Sequence, residues 1–209
     1  MRCDKATGAK TICGVPVRFS SSISRDEYST RIDVTVTGLD KKGNRKIIGK
    51  ACLFYLDLAE VFDTNDNVHD LFDIRSETAP FYSALIDHKT GDFKPKLEKI
   101  LDEYICDMNV LVVDRLEILP EFRGKKIGLA SLVWCLRQYA RECGVVALKC
   151  FPLQFECAEM GKPAWRRRME FGKLSRDHTR SSAKLKEYYG SLGFKVLPRG
   201  DDIMVAFAG

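Results

Sequence analysis

A β-branched, apolar run from Met108 to Leu119 breaks at Pro120. It gives way to Arg123-Gly124-Lys125-Lys126-Ile127-Gly128-Leu129 at the head of a helical pattern. A helix N-terminus leaves backbone N–H groups unpaired and carries roughly half a positive charge. Gly124 and Gly128 allow close approach to the backbone, and Arg123, Lys125 and Lys126 add cationic side chains. Together they make a cradle suited to an anion such as a pyrophosphate. Neither a Walker loop nor a G-x-G-x-x-G fingerprint is present. The same residues would equally serve a basic first turn whose glycine permits close helix–strand packing.

Other residues carry acid–base chemistry. Asp114 stands among Val112, Val113 and Leu116, where desolvation would raise its pKa into the range of a useful base. It shares a face with Leu116 and Ile118, and Glu117 points the other way. A salt bridge to a nearby cation is its alternative use. Glu156 is a second candidate base and His178 a third; His69 and His88 read as surface residues. Tyr189 lies on the stripe Leu185, Tyr188, Tyr189, Leu192, where a tyrosine packs its ring and projects its hydroxyl. Trp165-Arg166-Arg167-Arg168, with Arg176, Arg180 and Lys184, could grip phosphate or stack on bases, although runs of charge are usually solvated faces. Asp63-Thr64-Asn65-Asp66-Asn67 imitates the start of a calcium loop. Val68 replaces its glycine and Ile74 its closing glutamate, so calcium is excluded.

The elements that must position these residues follow from periodicity. Ile32, Val34 and Val36 alternate with Asp33, Thr35 and Thr37, a half-buried strand, and turn residues Asp40 to Asn44 lead into a return strand, Ile47 to Leu58. Residues 67–105 turn helical, most clearly in the stripe Leu97, Ile100, Leu101, Tyr104 and Ile105. Beyond the basic turn, Leu129, Leu132, Val133, Leu136, Ala140 and Cys143 share one helix face, and Gly144 is placed to end it. Val145 to Phe151 reads as a strand, and residues 153–180 as a polar, basic insertion. The Tyr188–Tyr189 helix ends at Gly193, and two short strands near 194–198 and 202–208 close the chain. No internal repeat and no long linker divides it, so residues 1–209 read as a single α/β (α+β) domain.

Composition sets the outer limits. The chain has 209 residues, 45% hydrophobic and 30% charged, with a net charge of +5. This is globular composition, and more mildly basic than a dedicated nucleic-acid binder. No apolar run approaches the length of a membrane span, and nothing at Met1 to Lys5 resembles a secretory leader. The eight cysteines contain no C-x-x-C pair, so zinc-ribbon spacing is absent and no metal is expected. Reduced core thiols in a cytoplasmic protein, without a membrane partner, are the expectation.

Leu116-Glu117-Ile118-Leu119-Pro120-Glu121-Phe122-Arg123-Gly124-Lys125-Lys126-Ile127-Gly128 resembles the acetyl-CoA signature of the GNAT superfamily of N-acetyltransferases, Gln/Arg-x-x-Gly-x-Gly/Ala. Tyr189-Gly190-Ser191-Leu192-Gly193-Phe194 resembles that family's Tyr-x-x-x-Gly-Phe, in the required order. The resemblance covers residues 108–208. It implies a mixed, largely antiparallel sheet flanked by helices, and acetyl transfer from acetyl-CoA to a primary amine on a small molecule or peptide. It further implies that the backbone of Leu116, Glu117 and Ile118 meets the acetyl carbonyl and pantetheine arm. The N–H groups of Gly124, Lys125, Lys126, Ile127, Gly128 and Leu129 would take the pyrophosphate beside Arg123, and Tyr189 would protonate the departing thiolate. Asp114 occupies the strand where the family places polar groups on the acceptor side. The insertion would cover the 3′-phosphate or shape the acceptor pocket, with Pro152 to Phe155 beside it.

Two positions depart from the pattern. Lys126 stands where the first glycine is usual, and a lysine held at positive φ costs about 1–2 kcal/mol. Ser182 stands where the family often has a cofactor-contacting asparagine. Acyl-CoA binding without turnover, and a nucleic-acid role for residues 165–184, are the alternatives. Oligomeric state is not indicated.

Overall fold

A computed structural model describes residues 7–40, 42–156, 163–198 and 202–208. In chain order the elements are β1 (Thr7–Ile12), β2 (Val15–Asp26), β3 (Ser29–Leu39), β4 (Arg45–Leu56), α1 (Leu58–Thr64), α2 (Val68–Asp73), α3 (Ala79–Leu85) and α4 (Lys96–Leu101). They continue with β5 (Asn109–Ile118), α5 (Ile127–Tyr139), β6 (Cys143–Lys149), α6 (Pro163–Arg168), α7 (His178–Gly190), β7 (Lys195–Val196) and β8 (Ile203–Phe207). The strands form one sheet in the order β1-β2-β3-β4-β5-β6-β8-β7. Every neighbouring pair is antiparallel except β5 and β6, which run parallel. A parallel pair needs a long crossover, and α5 supplies it. The architecture is thus mixed α/β with a largely antiparallel sheet flanked by helices.

Alternation divides the buried residues between the two faces. Val17, Phe19, Ile32, Val34, Val36, Leu111 and Val113 join Leu132, Trp134 and Cys135 of α5 in one core. Phe19 stacks on Trp134 with ring centroids 5.2 Å apart. Phe54, Leu56, Val110 and Val112 face the opposite core, filled by Leu58, Val61, Leu71, Phe72, Leu85 and Leu97 from α1 to α4.

Several boundaries differ from the periodicity. β1 and β2 were not anticipated, because Ser20, Ser21 and Ser22 mask the alternation of Val17, Phe19 and Ile23. The second strand of the predicted hairpin stops at Leu56, and Asp57 caps α1 by accepting the Glu60 N–H at 3.2 Å. The stripe from Leu97 does not continue past Leu101: Asp102 turns left-handed at φ 60°, and Tyr104 is 75% exposed. α5 ends at Tyr139, so Cys143 and Gly144 belong to β6 and not to a helix end. A Cβ on Gly144 would lie 1.9 Å from the Asp107 carbonyl oxygen, which explains a glycine in that strand. Residues 153–180 contain α6, two 3-10 turns and the start of α7, whose N-cap Asp177 accepts the Arg180 N–H. Cys3 and Cys157 lie outside the described residues. Among those described, no helix is long and apolar enough to cross a membrane.

Candidate functional site

The site begins where two strands part. β5 pairs with β6 only as far as Val113 opposite Leu148, and then continues to Ile118 bonded to β4 alone. The Leu119 N–H donates to the Ile48 carbonyl at 2.8 Å. By antiparallel alternation Glu117 also turns its backbone groups toward β4, and those of Leu116 and Ile118 face the split. Of the three backbones expected to meet a ligand arm, Glu117 is therefore already engaged.

Asp114 marks the start of this free stretch as the extra residue of a β-bulge: Cys52 pairs with Arg115 and Leu53 with Val113. The bulge reverses the alternation. Leu116 and Ile118 pack with the α5-side core that holds Val113. The groups acting on Asp114 are Arg115, Glu77, Glu156 and Arg31, and its carboxylate in turn acts on Cys52, a member of the opposite core. The shared face expected for Asp114, Leu116 and Ile118 is thus corrected. Burial pushes the Asp114 carboxyl up to about 6, opposed by Arg115, whose Nε is 4.0 Å away, and reinforced by Glu77 and Glu156.

The basic turn is shaped by its backbone. Gly124 (φ 71°) and Lys126 (φ 56°) are left-handed, so Lys126 bears the steric cost foreseen for it. Lys126 gives α5 no side-chain cap, unlike Asp57, Asn67 and Asp177 at α1, α2 and α7. Arg123 is not a mobile cation. Its Nε donates to the Ile118 carbonyl at 2.9 Å and its Nη2 to the Met169 carbonyl at 2.7 Å, tying the strand end to the segment after α6. Lys125 lies over the Phe122 ring at 5.4 Å. Gly128 makes room for a tyrosine: a Cβ there would stand 2.3 Å from the Tyr188 hydroxyl oxygen.

These parts line one cavity of about 610 Å³. Asp114, Leu116 and Ile118 lie on its wall, as do Arg123, Gly124, Lys126, Ile127, Gly128 and Leu129. Tyr188 and Tyr189 of α7 close another side, their ring centroids 5.3 Å apart. Burial raises the Tyr189 phenol, so at neutral pH it is a proton donor. Ser181 lines the cavity with Lys184 and Leu185, and the Gln154 amide donates to its Oγ at 3.1 Å. Ser182, the expected cofactor contact, is buried off the cavity wall with its Oγ unpartnered.

A charged knot borders Asp114. Glu156 accepts from both Arg115 Nη atoms and from Arg166 Nη1 at 3.1 Å, so it is an ion-pair centre and not a free base. Glu117 is 7% exposed, and its Oε2 accepts the Trp165 Nε1–H at 2.9 Å. Trp165, 9% exposed, packs beneath Lys50 and Arg168 at 4.4 and 5.1 Å. That removes the aromatic surface a nucleic-acid base would need and makes Trp165 a packing residue. His178 sits against Phe151 and Phe155, its ring centroid 5.0 Å from that of Phe155. Sequence reasoning missed Tyr188, Arg115 and Glu77. Tyr188 had a visible signal in its place beside Tyr189, one turn of helix past Lys184. Glu77 had none, since only the fold brings its charge to bear on Asp114.

The fold and site thus define a mixed α/β protein whose cavity opens where two parallel strands separate. No family model matches the chain, and no curated protein matches it. A chain in the crystal structure of the KacTA-DNA complex is similar at a TM-score of 0.40 and 9% identity, over 85% of this chain and 68% of that one.

Proposed function

We propose that this protein is an acetyl-CoA-dependent N-acetyltransferase that acts on a primary amine of a small molecule or peptide by direct attack. One observation carries the reading: the strand split, the uncapped start of α5, Asp114 and Tyr189 all line the same cavity. Acetyl-CoA, as cosubstrate, supplies an activated acetyl thioester. The first-turn N–H groups of α5 and the left-handed turn before it receive its phosphates. The Leu116 and Ile118 N–H groups, which β4 does not use, are the donors available to an extended arm and a carbonyl oxygen.

Asp114, poised near neutral pH, takes the proton that the acceptor ammonium must lose before its nitrogen attacks the thioester carbonyl carbon. The C–N bond forms, the C–S bond breaks, and the Tyr189 phenol gives its proton to the departing sulfur; the second proton, shed by the nitrogen as the amide forms, restores the phenol through solvent, and Asp114 releases the first to solvent. Glu77 adds a second carboxylate near Asp114, suiting a cationic acceptor. Buried, unpaired thiols at Cys52, Cys135, Cys143 and Cys150 fit a reducing compartment such as the cytoplasm.

Calorimetry with acetyl-CoA tests this reading. Gly124→Asp is the better disrupting variant: no atom lies within 4 Å of a Cβ there, and its left-handed backbone (φ 71°) is one that aspartate, more than most residues, adopts at a cost of about 1 kcal/mol, whereas a side chain at Gly128 would strike Tyr188. We expect micromolar binding by the intact chain and at least about a tenfold loss in Gly124→Asp, since a carboxylate placed in an anion cradle adds a repulsive charge. No binding by the intact protein would overturn the reading.

A further inference from the structure

The face of the sheet turned away from α5 carries a second cavity, toward the β1 edge. Val17, Phe19 and Val36 pack into the α5-side core, so by alternation Pro16, Arg18, Thr37 and Leu39 face the other way. The register sets them in two rows across the strands. Ala9, Arg18 and Thr37 make one row; in the next, Thr11 stands beside Pro16 and Leu39 beside Arg45. The rows form a trough of about 430 Å³ that also takes in Lys10 and shares no residue with the cavity described above.

Its charge has one sign. Lys10, Arg18 and Arg45 are exposed, and no Asp or Glu lines the trough. Among the described residues none of the three cations is in an ion pair. Two carboxylates of β3 and the turn after it are committed elsewhere. Asp33 accepts from Arg31 through both oxygens at 2.9 Å. Asp40 accepts the backbone N–H groups of Lys42 and Asn44 at 2.8 and 2.9 Å. Three like charges gathered without a counter-charge repel one another, and an anion relieves that repulsion.

The shape selects among anions. Four strands at a spacing of about 4.8 Å give a trough about 14 Å long, the span of about four residues of extended chain. A concave trough of this size excludes a duplex, and no aromatic residue lines it on which the bases of a single strand would stack. Ala9, Pro16 and Leu39 supply apolar surface among guanidinium groups, which fork onto carboxylates. We infer that this trough is a docking site for an acidic, extended segment of a partner protein, its carboxylates on Arg18, Arg45 and Lys10 and its apolar side chains over Pro16 and Leu39. The inference stands independently of the acetyltransferase reading, because the two cavities share no residue.

Fluorescence anisotropy on the full chain at low salt tests it, with a labelled peptide of three Glu-Glu-Leu repeats and its glutamine counterpart. We expect saturable binding of the glutamate peptide, weakening as salt rises. Binding should be at least about tenfold weaker for the glutamine peptide, and for Arg18→Glu with the glutamate peptide. Arg45→Glu carries the same expectation and serves if Arg18→Glu does not fold. Lys89→Glu, in the turn after α3, changes the net charge equally and should bind as wild type does. Equal losses in all three variants would mean attraction to net charge and not to the trough, and would overturn the inference, as would no binding by wild type. Tighter binding of single-stranded oligothymidylate, lost in the trough variants, would assign the trough to nucleic acid and overturn it. Sedimentation of the protein alone completes the test: a dimer that Arg18→Glu dissociates would assign the trough to a second copy and overturn it too.

Discussion

Asp114 shows how one side chain becomes useful through its setting. It is the extra residue of a bulge, so its carboxylate is thrown out of the strand's alternation toward Arg115, Glu77 and Cys52, where burial outweighs the nearby guanidinium. The sign of the pH dependence follows. A base works only when deprotonated, so with its pKa near 6 the rate should rise through about pH 6 and be lost below it. Asp114→Asn should abolish that limb and lower the rate about 100-fold or more, the usual worth of a general base. Glu77 raises the Asp114 pKa, so Glu77→Gln should move the limb to lower pH. Rate–pH profiles of the three proteins decide it; a limb unmoved in both variants would reject Asp114 as the base.

At the scale of the element, the turn before α5 combines two left-handed residues, Gly124 and Lys126. Glycine adopts that conformation freely, whereas lysine brings its Cβ against the backbone. Lys126→Gly should therefore stabilise the protein by about 1 kcal/mol, raising Tm by about 2–4 °C in a chain of this size. A differential scanning measurement checks it. A Tm that falls would mean that the Lys126 side chain contributes more than its backbone conformation costs.

Across the whole molecule, the segment around α6 is bound to the sheet by polar contacts that close one end of the cavity. The buried Glu117 carboxylate holds Trp165, Glu156 bridges Arg115 and Arg166, and Arg123 grips the Met169 carbonyl. Removing one partner leaves a buried charge short of a donor. Trp165→Phe should cost about 1–3 kcal/mol in urea unfolding. Adding Glu117→Leu should recover part of that loss, because an apolar replacement removes the stranded charge altogether. Equal and additive losses would mean that the Trp165–Glu117 bond contributes nothing.

Local pattern was enough for much of this. The β3–β4 hairpin, β5, the basic turn and the closing strands are written in short-range alternation and turn chemistry, which depend only on near neighbours. The candidate residues Asp114, Gly124, Lys126 and Tyr189 were legible for the same reason, and so was the mixed α/β class. What the sequence could not show arises from contacts between distant segments. The bulge that turns Asp114 away from Leu116 exists only in the pairing of β4 with β5. Ser181 rather than Ser182 faces the cavity because packing sets the rotation of α7, and helical periodicity alone leaves that rotation free. Arg115, Arg123 and Arg166 are held because carbonyls and carboxylates of other segments reach them. Gly128 read as space for a ligand until the fold brought Tyr188 over it. Sequence supplied the chemical groups and their local frames; tertiary packing decided which of them meet, because that depends on register and helix rotation, which only long-range contacts fix.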